Sequence, residues 1–239
     1  MQLEETIAVL KSLANPDNVK GMARFGINPE NTLGISIPEL RRLARKAGKD
    51  HQLAEKLWQT GLHEARILAG MVDDPVRVSA RQMESWVKDF DSWDVCDQVC
   101  MNLFARSSLA FDKAFEWAVR SEEFTRRAGF ALMACLAWSN KEATNDRFAG
   151  FLPVIEREAA DERNYVKKSV NWALRQIGKR NMHLNSLAVA TAQRIAKQDS
   201  KSARWVASDA LRELTAPATL AMIKQRQEKI TGKGKTSNK

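Results

Sequence analysis

The sequence has little of what a β-sheet is made from. It holds one tyrosine, no alternating run of Val, Ile and Thr, and no Asn-Gly or Asp-Gly pair to turn a hairpin, so the short-range signals for strands are missing. Cysteine and histidine are scarce as well. Cys96, Cys100 and Cys135 are an odd number without CxxC spacing, and His51, His63 and His183 are scattered. That argues against a disulfide framework, a metal site or a metal cofactor, and it fits a reducing, cytoplasmic setting. No segment approaches the ~18 uninterrupted apolar residues of a membrane span. The opening MQLEETIAVLKSLANP carries early acids, so a signal peptide is not expected either.

What remains is helix. The 239 residues are 44% hydrophobic, enough for one full-sized domain with a core of its own. Ser36-Ile37-Pro38-Glu39 has the capping-box pattern with an early proline, and ELRRLARKA continues it as a helix. Beyond it the chain reads as paired helices with short breaks at Gly61, Asp74-Pro75, Asp91-Ser92 and Pro153. A weak self-similarity runs through the second helix of each pair: ARILAGM (65–71), WDVCDQV (93–99), RAGFALM (127–133), KSVNWAL (168–174) and RWVASDA (204–210). Starts roughly thirty to forty residues apart suit a helical-hairpin solenoid, in which second helices line a concave face. An irregular all-α bundle is the alternative.

The formal charge of +9 is unevenly spread. Residues 224–239 hold six Lys or Arg and one acid, a net of +5, against +4 for residues 1–223. The body is expected to be the domain, and the end, ITGKGKTSNK, a basic, disordered tail. Within the body, bases recur at helix starts: Arg126 and Arg127 in FTRRAGF, Lys168 in YVKKSVNWALRQIGKR with Arg175 and Lys179 at helical spacing after it, and Arg204. Helix N-termini already present backbone N–H groups, so a row of such bases would track a nucleic-acid backbone without reading sequence.

Among the seven tryptophans, Trp58, Trp86, Trp117 and Trp138 are expected to pack between helices. Trp93 and Trp172 differ in sharing a helical face with polar groups: Asp97 for the first, Lys168 and Arg175 for the second. In FDSWDVCDQVC, Ser92 is a suitable N-cap and Asp94 falls in the first turn, where the helix dipole favours a carboxylate. Asp97 lies a turn further on and has no such local reason to be there.

The set SWDVCD, RRAGFAL and VKKSVNWALRQIGK, with MARFGI…TLGISIPELRRLARK upstream, resembles the AlkD-type DNA alkylation-repair glycosylases, built from HEAT-like repeats. The resemblance covers about residues 20 to 215. It implies an all-α, HEAT-like solenoid with a concave, basic DNA-binding cleft, acting without a cofactor, as a monomer, on double-stranded DNA that contains alkylated purines. Residue by residue, it implies Asp97 as catalytic carboxylate, Trp93 and Trp172 as aromatic walls of the lesion site, and Arg127 as a phosphate-contacting base. FGINPENTLGI, from Phe25, reads as an insertion-like stretch. A nucleic-acid-binding protein without catalysis, or a protein-interaction scaffold of the same fold, are the competing readings.

Overall fold

A computed structural model describes residues 1–236, with side chains through Lys229. The described residues contain helices and turns and no strand. The chain divides into two compact units, Met1–Asp112 and Lys113–Lys239.

The first unit is built from α1 (Leu3–Ser12), α2 (Pro16–Arg24), α3 (Ile37–Ala47), α4 (His51–Gln59), α5 (His63–Val72), α6 (Ala80–Lys88) and α7 (Trp93–Asn102), followed by a 3-10 turn, Phe104–Arg106. Local chemistry starts several of them. Asn15 accepts from the amides of Asp17 and Asn18, Asp50 from Leu53, and Ser79 from Gln82, each satisfying N–H groups that a helix start leaves unpaired. Ser36 precedes α3 as expected, but its hydroxyl donates to Glu39 Oε2 at 3.0 Å instead of capping the backbone. Helix α5 packs on α3, α4 and α7. The indoles of Trp58 on α4 and Trp86 on α6 stack with centroids 4.1 Å apart and planes nearly parallel, with Trp58 Nε1 donating to Asp89 at 2.8 Å.

The second unit takes in most of α8 (Ala110–Ala118), then α9 (Glu123–Ser139), α10 (Asn145–Ala149), α11 (Leu152–Glu158), α12 (Asn164–Gly178), α13 (Met182–Ile195), α14 (Lys201–Leu214) and α15 (Pro217–Thr236). Helix α12 is its hub, packing on α9, α11, α13 and α14. Helix α9 is buried along nearly its whole length. Its approach to α8 requires Gly129, where an added Cβ would stand 2.4 Å from the Ala118 amide nitrogen. The break expected at Pro153 falls just before it, between α10 and α11, and the proline sits in the first turn of α11, where its missing N–H costs nothing.

The five similar segments fall on α5, α7, α9, α12 and α14. Each is the later helix of a pair, and within the units α5 packs on α7, α9 on α12 and α12 on α14, the arrangement that a stack of helical hairpins requires. Where the sequence marked a tail from residue 224, α15 continues across that position. Residues 237–239 of that tail lie outside the described residues. No helix of the described residues is long and apolar enough to cross a membrane.

Candidate functional site

In the first unit the candidate site is the start of α7. Ser92 holds the N-cap position, yet its hydroxyl makes no cap; it accepts from the Asn28 amide at 2.8 Å. That bond belongs to a larger strap. Asn28 Nδ2 donates to Asp91 at 2.9 Å and Trp93 Nε1 to the Phe25 carbonyl at 3.1 Å. On α5, the fully buried Glu64 carboxylate accepts from three successive amides, Leu33 at 2.8 Å, Gly34 at 2.6 Å and Ile35 at 3.2 Å. The His63 amide donates to the Asn31 carbonyl at 3.0 Å. The stretch Phe25–Ile35 is therefore a clamp across the starts of α5 and α7, and not a loose insertion. Gly34 completes it at φ 79°, where a side chain would also meet the Asn15 carbonyl at 2.2 Å.

The two aspartates of α7 have different surroundings. Asp94 is 9% exposed and its Oδ2 lies 2.8 Å from His63 Nε2, while Oδ1 is buried without a hydrogen-bond partner. Burial alone would lower the His63 pKa. The hydrogen bond and charge of Asp94, with the charges of Glu64 and Asp91, outweigh it and hold His63 above its usual value. The first-turn position of Asp94 is as expected, but what engages it is a histidine from the neighbouring helix. Asp97 is half-buried one turn on, on the same face as the half-buried Trp93. Neither His63 nor Glu64 was marked by the sequence, because their partners lie about a helical repeat away.

In the second unit, the expected row of outward-facing cations is corrected in part. Arg126 reaches Glu158 at 2.9 Å and Asp161 at 3.0 Å, and its Nε donates to the Arg120 carbonyl. Arg163 grips the same Asp161 at 2.6 Å. Burial pushes that carboxyl's pKa up, and the bonds from Arg163 and Arg126 more than reverse it, so it ends lowered. Arg126 is thus a staple between the turns that precede α9 and α12. Arg127 is only 5% exposed, with Nη1 donating to the Tyr165 carbonyl in the first turn of α12 at 2.7 Å.

Along α12, Lys168, Trp172, Arg175 and Lys179 form the stripe read from their spacing, but its two ends differ. Lys168 is exposed and makes no ion pair among the described residues, and Trp172 is half-buried. Arg175 lies 2.5 Å from Glu213 and 3.6 Å from Asp209 on α14, and Lys179 lies 2.6 Å from Glu213. Burial raises the Glu213 pKa, but these two cations override it and leave it lowered. Arg204 is exposed, in an open pair with Asp199 at 3.3 Å; such pairs hold an arginine weakly.

The tryptophans divide much as read, with one exception. Trp58, Trp86 and Trp117 are buried. Trp138, expected to pack, is 59% exposed because it lies in the last turn of α9, past the helices that cover the rest. All three cysteines are buried, and no cluster of metal-ligating side chains occurs among the described residues.

Against known proteins, the fold finds a solved structure described as "A new family of proteins related to the HEAT-like repeat DNA glycosylases with affinity for branched DNA structures". The TM-score is 0.73 at 21% identity, covering 89% of this chain and 95% of that one, so the fold is the HEAT-like repeat fold. No curated protein matches the sequence. Residues 6–214 match the model of the family described as DNA alkylation repair enzyme, which is most of the chain. The chain belongs to the DNA alkylation repair enzyme family.

Proposed function

We propose that this protein is a DNA glycosylase that removes N3- or N7-alkylated purines from duplex DNA, the first step of base excision repair. The observation that carries the reading is the start of α7, where Asp97 shares a half-buried face with Trp93 while Asp94 is committed to His63. Alkylation at N3 or N7 makes the base cationic and a good leaving group, so no general acid has to protonate it. As the N-glycosidic bond breaks, the positive charge moves to the deoxyribose in an oxocarbenium-like transition state. Asp97 stabilises that charge and orients the water whose oxygen bonds to the anomeric carbon, the water's surplus proton passing to solvent and the base leaving neutral with the bond's electron pair. Trp93 turns its electron-rich face to the cationic nucleotide. Lys168 and Arg204, exposed and weakly held, take phosphates. Arg126, Arg175 and Lys179 do so only by exchanging their carboxylate partners.

The test is single-turnover release of 7-methylguanine from methylated duplex DNA by the full chain and by Asp97→Asn. Asp97→Asn is expected to slow release by about 10²-fold or more, the scale of losing one well-placed electrostatic group, with duplex affinity and folding retained. Release by Asp97→Asn at the unaltered rate would remove the carboxylate from the mechanism. A second reading, binding of branched DNA without excision, is favoured by what is said of the structural relative. It predicts tighter binding to a four-way junction than to a linear duplex, and no base release.

A further inference from the structure

A basic cleft in the second unit has, apart from Lys179 at its edge, no part in the reading above. Its volume is about 980 Å³, and it lies where the last turn of α9, the loop before α10, the turn from α12 to α13 and α15 meet. Trp138, Lys141, Arg180, Arg226 and Lys229 line it, and Lys179 reaches it with its ammonium on Glu213. No carboxylate of the described residues lines it; Glu142 in the loop, Asp146 on α10 and Glu228 on α15 are near in sequence but outside the lining.

The cations are not used up by the fold to the same degree. Arg180 is spent, donating to the carbonyls of Ala137, Asn140 and Ala143 and lying 4.1 Å over Phe148. Lys141 donates to the Trp138 carbonyl. Lys141, Arg226 and Lys229 make no ion pair among the described residues. Burial, and then the positive charges of Arg180 and Arg226, hold the Lys141 pKa below its usual value. Like charges gathered without an acid between them are relieved by a bound anion. With Lys141, Arg226 and Lys229 in the lining, more than one phosphate can be served. Beside them stands the exposed indole of Trp138. A paired base has both faces already stacked, so an open indole beside unpaired cations fits an unpaired base on a phosphate chain.

We propose that this cleft is a second DNA subsite that takes unpaired nucleotides of a single strand, with a base stacked on Trp138 and phosphates on Lys141, Arg226 and Lys229. It rests on the chain's being a DNA-binding protein and is independent of base excision.

The full chain is titrated into a fluorescein-labelled oligothymidylate of about ten nucleotides, within the span of ordinary single-strand sites, and into a linear duplex, by anisotropy at several salt concentrations. Trp138→Ala is expected to weaken oligothymidylate binding at least about five-fold, the lower end for loss of one stacked base. Trp138→Phe should retain most of it. The double variant Lys141→Gln, Arg226→Gln should flatten the slope of log affinity against log salt by about 1.4, at ~0.7 for each single-strand phosphate. Duplex affinity, base release and melting temperature should stay at wild-type values in all of these. Oligothymidylate binding that ignores the substitutions, or duplex binding that falls equally, would overturn the proposal. Competition by thymidine monophosphate as effective as by the oligomer would overturn the strand in favour of a free nucleotide. Wild-type protein that binds the oligomer through Trp138 yet releases no base would leave this subsite standing and end the excision reading.

Discussion

Replacing Glu64 with Gln tests whether the clamp over α5 and α7 is what holds Trp93. The carboxylate is fully buried and receives the Leu33 amide on Oε2 and the Gly34 and Ile35 amides on Oε1. Glutamine has one oxygen to offer, and its NH₂ must face at least one of these N–H groups. The cheaper orientation turns the nitrogen toward Leu33, losing one charge-assisted bond and weakening the other two. A hydrogen bond to a charged group contributes about 1.5–3 kcal/mol, so the cost is about 2–3 kcal/mol. At a few degrees per kcal/mol for a chain of this length, the melting temperature should fall by about 5–10 °C. Amide exchange should speed most at residues 33–35. Because the Phe25 carbonyl holds Trp93 Nε1 at the other end of the same stretch, base release should fall more than duplex affinity. A melting temperature within about 1 °C of wild type, with exchange at 33–35 unchanged, would refute the clamp.

Three further outcomes are expected. His63 has its pKa raised by Asp94 and neighbouring acids, so the protonated pair adds stability below the ordinary histidine value of about 6.5 and loses it as pH rises through the higher folded value; His63→Gln should remove that fall from the melting profile between pH 6 and 9, and a wild-type profile flat over that range would contradict it. Arg127→Ala should lower the melting temperature and leave the salt slope of duplex binding unchanged, because the guanidinium is buried on the Tyr165 carbonyl; a slope reduced by ~0.9 would mean a phosphate contact instead. Gly129→Ala should destabilise by about 2 kcal/mol or more through its clash with Ala118, read by urea unfolding, and a smaller effect would mean that α8 and α9 separate easily.

The helices were legible because their signal is local. The period of 3.6 residues is written into ARILAGM or KSVNWAL without reference to anything distant, and so α5 and α12 fall where the pattern put them. That Asp97 and Trp93 share one face of α7 was legible for the same reason, since they are one turn apart on one helix. What failed to show was pairing across repeats. Nothing near Ser92 signals that its hydroxyl accepts from Asn28, 64 residues away, or near Arg175 that Glu213, 38 residues on, takes its charge. A cation read by itself looks available, and its acid becomes visible only when the helices stack. Trp138 misled in the opposite sense: tryptophan usually packs, but this one stands in the last turn of its helix, at the rim of a cleft that leaves it 59% exposed.

The central claim is that the face of α7 bearing Trp93 and Asp97 serves base excision, and the most direct measurement is the release of free 7-methylguanine or 3-methyladenine from alkylated duplex DNA by the purified full chain. The account predicts release by the wild-type protein and its near loss in Asp97→Asn at matched DNA occupancy. Full occupancy of alkylated duplex by the wild-type protein with no free base released would contradict it.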